Sequence, residues 1–209
     1  MPTEARYPIP AAEHRVETVV QRSRFVATLG PAATVEEAQA FVRRVAAEFA
    51  DATHNCWAYV VGPPGSTARI GMSDAGEPHG TAGRPMLTAL LHGGLGDVAA
   101  VVTRFYGGTK LGTGGLVRAY GGAVQEALLG LPRAERVEYA ELDIGVEYPH
   151  VAAVQQLLPA YEGEVLAQEY LERVRYRVRV PSPNAEEFTA RLRDATRGAA
   201  EVRRLTDDG

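Results

Sequence analysis

Apolar and polar positions alternate in HRVETVV (14–20) and in RFVATL (24–29), the period of a half-buried strand, and Gln21-Arg22-Ser23 joins the two runs as a hairpin. The pattern then changes to a helical one. In TVEEAQAFVRRVAAEFA the residues Val35, Ala38, Phe41, Val42, Val45 and Phe49 fall on one face, and Thr34 with Glu37 forms a capping box at the start. HNCWAYVVG reads as a strand stopped by Pro63-Pro64-Gly65, with a further short strand from Thr67 to Met72. RPMLTALLHGG is a helix with Gly93 near its C-cap. DVAAVVTRFY is mostly apolar, a buried strand leading into a glycine loop. GGLVRAYGGAVQEALLG then forms a helix closed by Gly130, and its glycine pairs at 114–115 and 121–122 imply close backbone approach against the sheet.

Beyond GLPRAERVEY the glycines thin out and a new pattern begins, placing a boundary near residues 130–137. We expect an N-terminal domain over 1–132 and a C-terminal domain over 133–209. The second reads as strand 137–146, helix 149–160, strands 163–170 and 173–180, helix 184–195 and strand 200–205, the βαββαβ order of a ferredoxin-like domain. Tyr176, Val178 and Val180 alternate with Arg175, Arg177 and Arg179, which puts the arginines together on one sheet face. The fold class is α+β.

Charge narrows the candidate functions. The net charge is -4; residues 1–130 are balanced, and the excess falls in 131–209. Nucleic-acid binding would therefore need a local basic patch rather than a basic protein. No stretch is long and apolar enough for a transmembrane helix, and the start MPTEARYPIP does not read as a signal peptide. Cys56 is the single cysteine. These features place the protein in the cytoplasm, away from membranes.

Fourteen of the 22 glycines lie in residues 71–122, and FYGGTKLGTGGLVRAYGG holds seven of them together with Lys110, the one lysine among 22 basic residues. A glycine loop between a buried strand and a helix can aim backbone N–H groups at an anion, aided by the helix dipole. It has neither the spacing of a P-loop nor, with Val117 at the third position, that of a dinucleotide fingerprint. Tight packing alone also explains such glycines. The candidate anion- or nucleic-acid-binding residues are Arg24, Arg84, Arg104, Gly107, Gly108, Lys110, Gly112, Gly114, Gly115 and Arg118. A second loop, SDAGEPHGTAGRP (73–85), offers Asp74, Glu77, His79 and Thr81. There Asp74 and Glu77 would hold Mg²⁺ or act as acid and base, and Thr81 would cap the following helix; a solvated loop is the alternative. His54 and Cys56 share a strand face, but with no second cysteine a buried structural thiol is the better reading. Arg22, Ser23 and Arg24 sit at a hairpin tip, a solvated turn or a phosphate contact.

SRFVA, THNCWAY, SDAGEPHGTAGRPML and VVTRFYGGTKLGTGGLVRAYGG, in that order, resemble the YigZ/IMPACT family, and residues 137–205 resemble the extra C-terminal module of its bacterial members. Ala75 stands where an acid is common, and His79 where serine is common. The resemblance implies an N-terminal left-handed βαβ domain like that of some ribosomal proteins and elongation factors, followed by the ferredoxin-like module. It also implies a link to translation, which eukaryotic relatives regulate under stress by competing for a kinase activator. The leading expectation is a non-enzymatic, translation-linked protein that contacts RNA, the ribosome or a translation-factor partner through the glycine loop. No cofactor is expected and no catalytic residue is assigned. A Mg²⁺-dependent phosphoryl- or nucleotide-handling enzyme and a pure protein–protein adaptor are the alternatives.

Overall fold

A computed structural model describes residues 6–205 and divides the chain into two compact units, one ending at Arg136 and the other beginning at Val137. The fold is mixed α+β.

The first unit is built on a five-stranded antiparallel sheet. Its strands are β2 (His14–Val20), β3 (Ser23–Pro31), β4 (His54–Val61), β5 (Arg69–Ser73) and β6 (Val98–Phe105), in the order β2-β3-β6-β4-β5. Both sheet faces are covered, which is why the central strands read as continuous apolar runs. Helix α1 (Val35–Glu48) packs Ala38, Phe41 and Val45 on one face, against Tyr59, Val61, Ala99 and Val101. Its start is the anticipated box with one change. Thr34 Oγ1 accepts from the Glu37 amide (3.1 Å), while Glu37 reaches one residue further back, to the Ala33 amide (2.8 Å).

Helices α2 (Gly83–His92) and α3 (Gly112–Gly130) cover the other face. Met86, Leu90, Leu116, Tyr120 and Val124 meet Phe25, Leu29, Cys56, Val60 and Val102 there, and the Phe25 and Tyr120 rings meet edge to face at 5.3 Å. α3 begins at Gly112, two residues earlier than GGLVRAY indicates. Its glycines do not press on the sheet as anticipated. A Cβ at Gly121 would come no nearer than 3.5 Å to Pro85, at the start of α2, and Gly122 faces open space.

Two strands escape the sequence pattern. β1 (Arg6–Pro10) and β7 (Arg133–Val137) form a separate two-stranded sheet. β1 carries two prolines, which pattern reading treats as breakers but which an edge strand tolerates. β7 lies in the stretch that the sequence presents as a domain boundary, just before β8 (Tyr139–Val146). Buried Asp97 ties the small sheet to the large one, accepting from Tyr7 Oη (2.9 Å), Arg136 (2.7 Å) and the Gly62 amide (2.8 Å).

The second unit contains β8, α4 (Val151–Ala160), β9 (Glu164–Tyr170), β10 (Val174–Pro181), α5 (Ala185–Ala195) and β11 (Glu201–Leu205). The sheet order β11-β8-β10-β9 is that of the ferredoxin-like pattern. Leu142, Ile144, Val146, Tyr176 and Val178 pack with Val154, Leu158, Phe188 and Leu192 in a single core. Arg175, Arg177 and Arg179 lie opposite Gly145, Asp143 and Glu141 of β8, away from that core. Among the described residues, no helix is long and apolar enough to cross a membrane.

Candidate functional site

The site grows out of the ends of β3, β4 and β6. The β2–β3 hairpin closes on Gln21 and Arg22, both in the left-handed region (φ 45° and 68°), with Val20 paired to Ser23. Two positive φ values match the twist of the flanking strands. This turn makes Ser23 fully buried rather than a solvated tip. Its hydroxyl accepts from the Gly107 amide (3.2 Å) and from Arg104 Nη2 (3.3 Å), joining the hairpin to the glycine loop.

Arg104 and Cys56 share the sheet face that α2 and α3 cover. A guanidinium cannot be buried there without a partner. Arg104 finds it in the second loop, where Nη1 donates to Glu77 Oε1 at 2.6 Å, with the two side chains 7% and 3% exposed. Tyr120 Oη donates to the same oxygen (2.8 Å). Glu77 Oε2 makes no hydrogen bond among the described residues; His54 Nε2 lies 3.9 Å from it. His54 Nδ1 is 2.9 Å from the Ala75 carbonyl, and Cys56 Sγ donates to the Asp74 carbonyl (2.9 Å). Burial, with the Glu77 and Asp74 carboxylates nearby, pushes the Cys56 thiol up to about 12, and burial likewise raises the Tyr120 phenol. Native Cys56 should therefore react with a thiol reagent at pH 7 far more slowly than it does in urea. Equal labelling rates in the two states would contradict its burial.

The second loop is organised rather than solvated. Asp74 caps α2: Oδ1 accepts from the amides of Ala82 (3.0 Å) and Gly83 (2.9 Å), and Oδ2 from Gly80 (2.8 Å). Burial opposes ionisation of Asp74, but these three bonds and nearby His79 outweigh it and hold the carboxyl below its ordinary range. Thr81, expected as the cap, instead donates its hydroxyl to the Pro78 carbonyl (2.6 Å). A cap nine residues upstream of the helix leaves no local signature. His79 is exposed, its Nδ1 3.8 Å from Asp74 Oδ2.

The glycine loop has several distinct causes. At Gly107 the chain crosses the hairpin turn so closely that a Cβ would overlap the Arg22 carbonyl and stand 2.6 Å from the Ser23 nitrogen. Gly108 and Gly112 adopt left-handed φ values of 84° and 71° in open surroundings. Gly114 and Gly115 form the first turn of α3. A Cβ at Gly114 would meet nothing nearer than Arg118 Nη1 at 3.8 Å, so that guanidinium folds back over the helix start. Among the described residues, no side chain caps this helix.

The candidate cations divide accordingly. Arg104 is spent in the buried pair. Arg24 faces Glu17 (3.4 Å) and lies 4.1 Å over the Phe105 ring. Arg84, Lys110 and Arg118 are exposed and, among the described residues, have no ion-pair partner. Arg84 and Arg118 line a groove of about 510 Å³ between α2 and α3 with His92, Gly121 and Gln125. Lys110 borders a second hollow of about 400 Å³ with Glu77, Arg104, Tyr106, Gly112 and Leu116. Ser23, read from the sequence as part of a hairpin tip, is instead a buried link to the glycine loop, and the sequence reading does not assign Tyr106 or Tyr120 to the site. Tyr120 had a signal, since a tyrosine on the apolar face of a helix must find its hydroxyl a partner.

Comparison with known proteins agrees with this architecture. Residues 21–128 match the Impact N-terminal domain, and residues 144–199 match a domain of unknown function, DUF1949. The chain is 42% identical to IMPACT family member YigZ of Escherichia coli, over 93% of this chain and 95% of the relative. It is 36% identical to IMPACT family member YvyE of Bacillus subtilis, over 92% and 87%. A crystal structure described as that of a hypothetical protein, 40% identical, covers 97% of this chain and 98% of its own with a TM-score of 0.68. The chain belongs to the IMPACT family.

Proposed function

We propose that this is a cytoplasmic, translation-linked binding protein whose first unit holds the phosphate backbone of RNA at the start of α3. The observation that carries the reading is exposed Lys110 beside the first turn of α3 and exposed Arg118 folded over it, where among the described residues no side chain caps the helix, with exposed Arg84 lining the α2–α3 groove together with Arg118. Free N–H groups and the positive end of the helix dipole favour an anion there, and the glycines let a phosphate approach the backbone. The carboxylates invoked for a Mg²⁺-dependent enzyme are engaged elsewhere. Asp74 receives three backbone bonds, and Glu77 holds Arg104 and Tyr120.

Titration with a single-stranded RNA oligonucleotide at two salt concentrations tests this. Lys110→Ala should weaken binding several-fold and flatten the salt dependence by about one released counterion. Arg84→Ala combined with Arg118→Ala should flatten it further. Affinities and salt slopes equal to wild type in both variants would remove this face from RNA binding.

A further inference from the structure

The hollow beside Lys110 has chemistry that a phosphate site does not need. Its walls are mostly apolar, with Pro78, Leu111 and Leu116, and the aromatic ring of Tyr106 stands on them. Tyr106 is 46% exposed although it follows a buried strand. Its amide is tied to Thr53 Oγ1 (3.1 Å), and its ring lies 5.4 Å from the Arg104 guanidinium, so it is held rather than loose. Glu77 also lines the hollow, with its side chain only 3% exposed. Only one of its oxygens is satisfied: Oε1 takes Arg104 and Tyr120, while Oε2 has no hydrogen bond among the described residues. Oε2 is not among the buried side-chain atoms left without a partner, so it is reached by solvent and open to an occupant that brings an N–H group. The Lys110 ammonium and the uncapped α3 N-terminus at Gly112 and Thr113 favour an anion at the same place.

An aromatic platform, a hydrogen-bond acceptor, apolar walls and a cationic edge within one pocket match a single nucleotide unit. The base would lie against Tyr106 and donate to Glu77, with its phosphate at Lys110 and the α3 start. Unstacked bases are recognised in this manner, on aromatic faces and through their polar edges. A hollow of about 400 Å³ is of the size that encloses a small ligand. We infer that this pocket receives one unstacked nucleotide, so that the protein selects single-stranded over duplex RNA. The inference rests on the phosphate-binding reading but adds a contact to the base, which phosphate binding does not require.

Two sources offer this chemistry, an RNA strand and a free mononucleotide, and the experiment separates them. Wild type and Tyr106→Ala are titrated with a single-stranded RNA oligonucleotide, with the same oligonucleotide made abasic, with an RNA duplex and with AMP. Tyr106 is half exposed and its backbone bond survives the substitution, so the variant should fold, which circular dichroism verifies. The expected result is about tenfold weaker binding of wild type to the abasic strand and the duplex, in keeping with the loss of one stacked base. Tyr106→Ala should bind the normal strand as weakly as wild type binds the abasic one, and should no longer distinguish the two. AMP alone should bind far more weakly than the strand; AMP binding as tightly would make the free nucleotide the ligand and overturn the RNA assignment. Equal affinity of wild type for normal and abasic strands would overturn the base pocket while leaving the phosphate reading standing. Failure of every RNA to bind would overturn both.

Discussion

Gly107→Ala should destabilise the first unit by about 3 kcal/mol or more, the upper end of what overpacking costs. The added methyl would overlap the Arg22 carbonyl and crowd the Ser23 nitrogen, both backbone atoms of a hairpin whose φ values are already set by its turn. Neither can swing aside as a flexible side chain would. The Gly107 amide also donates to Ser23 Oγ, and that bond would lengthen as the strands part. Gly114→Ala makes the matched control, since the same change seven residues later enters open space in an ordinary helical turn. It should raise stability by up to ~1 kcal/mol through helix propensity. Urea unfolding followed by circular dichroism reads both. A Gly107→Ala midpoint equal to wild type would mean that the crossing is looser than described.

The buried ion pair sets the second large effect. Glu77→Ala strands the Arg104 guanidinium and the Tyr120 hydroxyl in the core together, and removing one partner of a buried pair costs about 3–5 kcal/mol. The cost comes chiefly from the charge left behind. Glu77→Leu combined with Arg104→Met should therefore recover most of the loss, because an apolar pair of similar volume leaves no charge unmatched. The double-mutant cycle by urea unfolding measures this coupling. A loss below about 1 kcal/mol in Glu77→Ala would show that water reaches Arg104 in solution.

These two sites show what a linear reading can and cannot see. Strand and helix identity were legible because burial imposes a period: β10 alternates tyrosine and valine with arginine, and α1 presents every third or fourth residue to the sheet. The position of the glycine loop was legible for a similar reason, since so many glycines within a few residues need a local explanation. Roles that depend on distant partners were not. Arg104 looks like any loop-end cation, and nothing within ten residues shows that Glu77, 27 positions away, neutralises it. Gly107 is indistinguishable in sequence from Gly108, yet one is required by a chain crossing at Arg22 and the other by its own φ. Asp74 looks like a metal ligand until the helix it caps is seen in space.

The placement of β6 between β3 and β4 has a consequence for how the chain acquires this fold. Both flanking strands precede β6 in sequence, yet in the finished sheet each hydrogen-bonds to β6 and not to the other. The segment from His14 to Val61 can form hairpin β2–β3 and helix α1, but the sheet stays open at its centre until residues 98–105 arrive. Closing it requires Arg24 to meet Phe105 across some eighty residues, a non-local step that slows folding. During synthesis the central strand is thus delivered late, and the same step carries Arg104 to Glu77 and Gly107 onto the hairpin. The proposed binding surface depends on the completed sheet, so a chain arrested before β6 would carry neither.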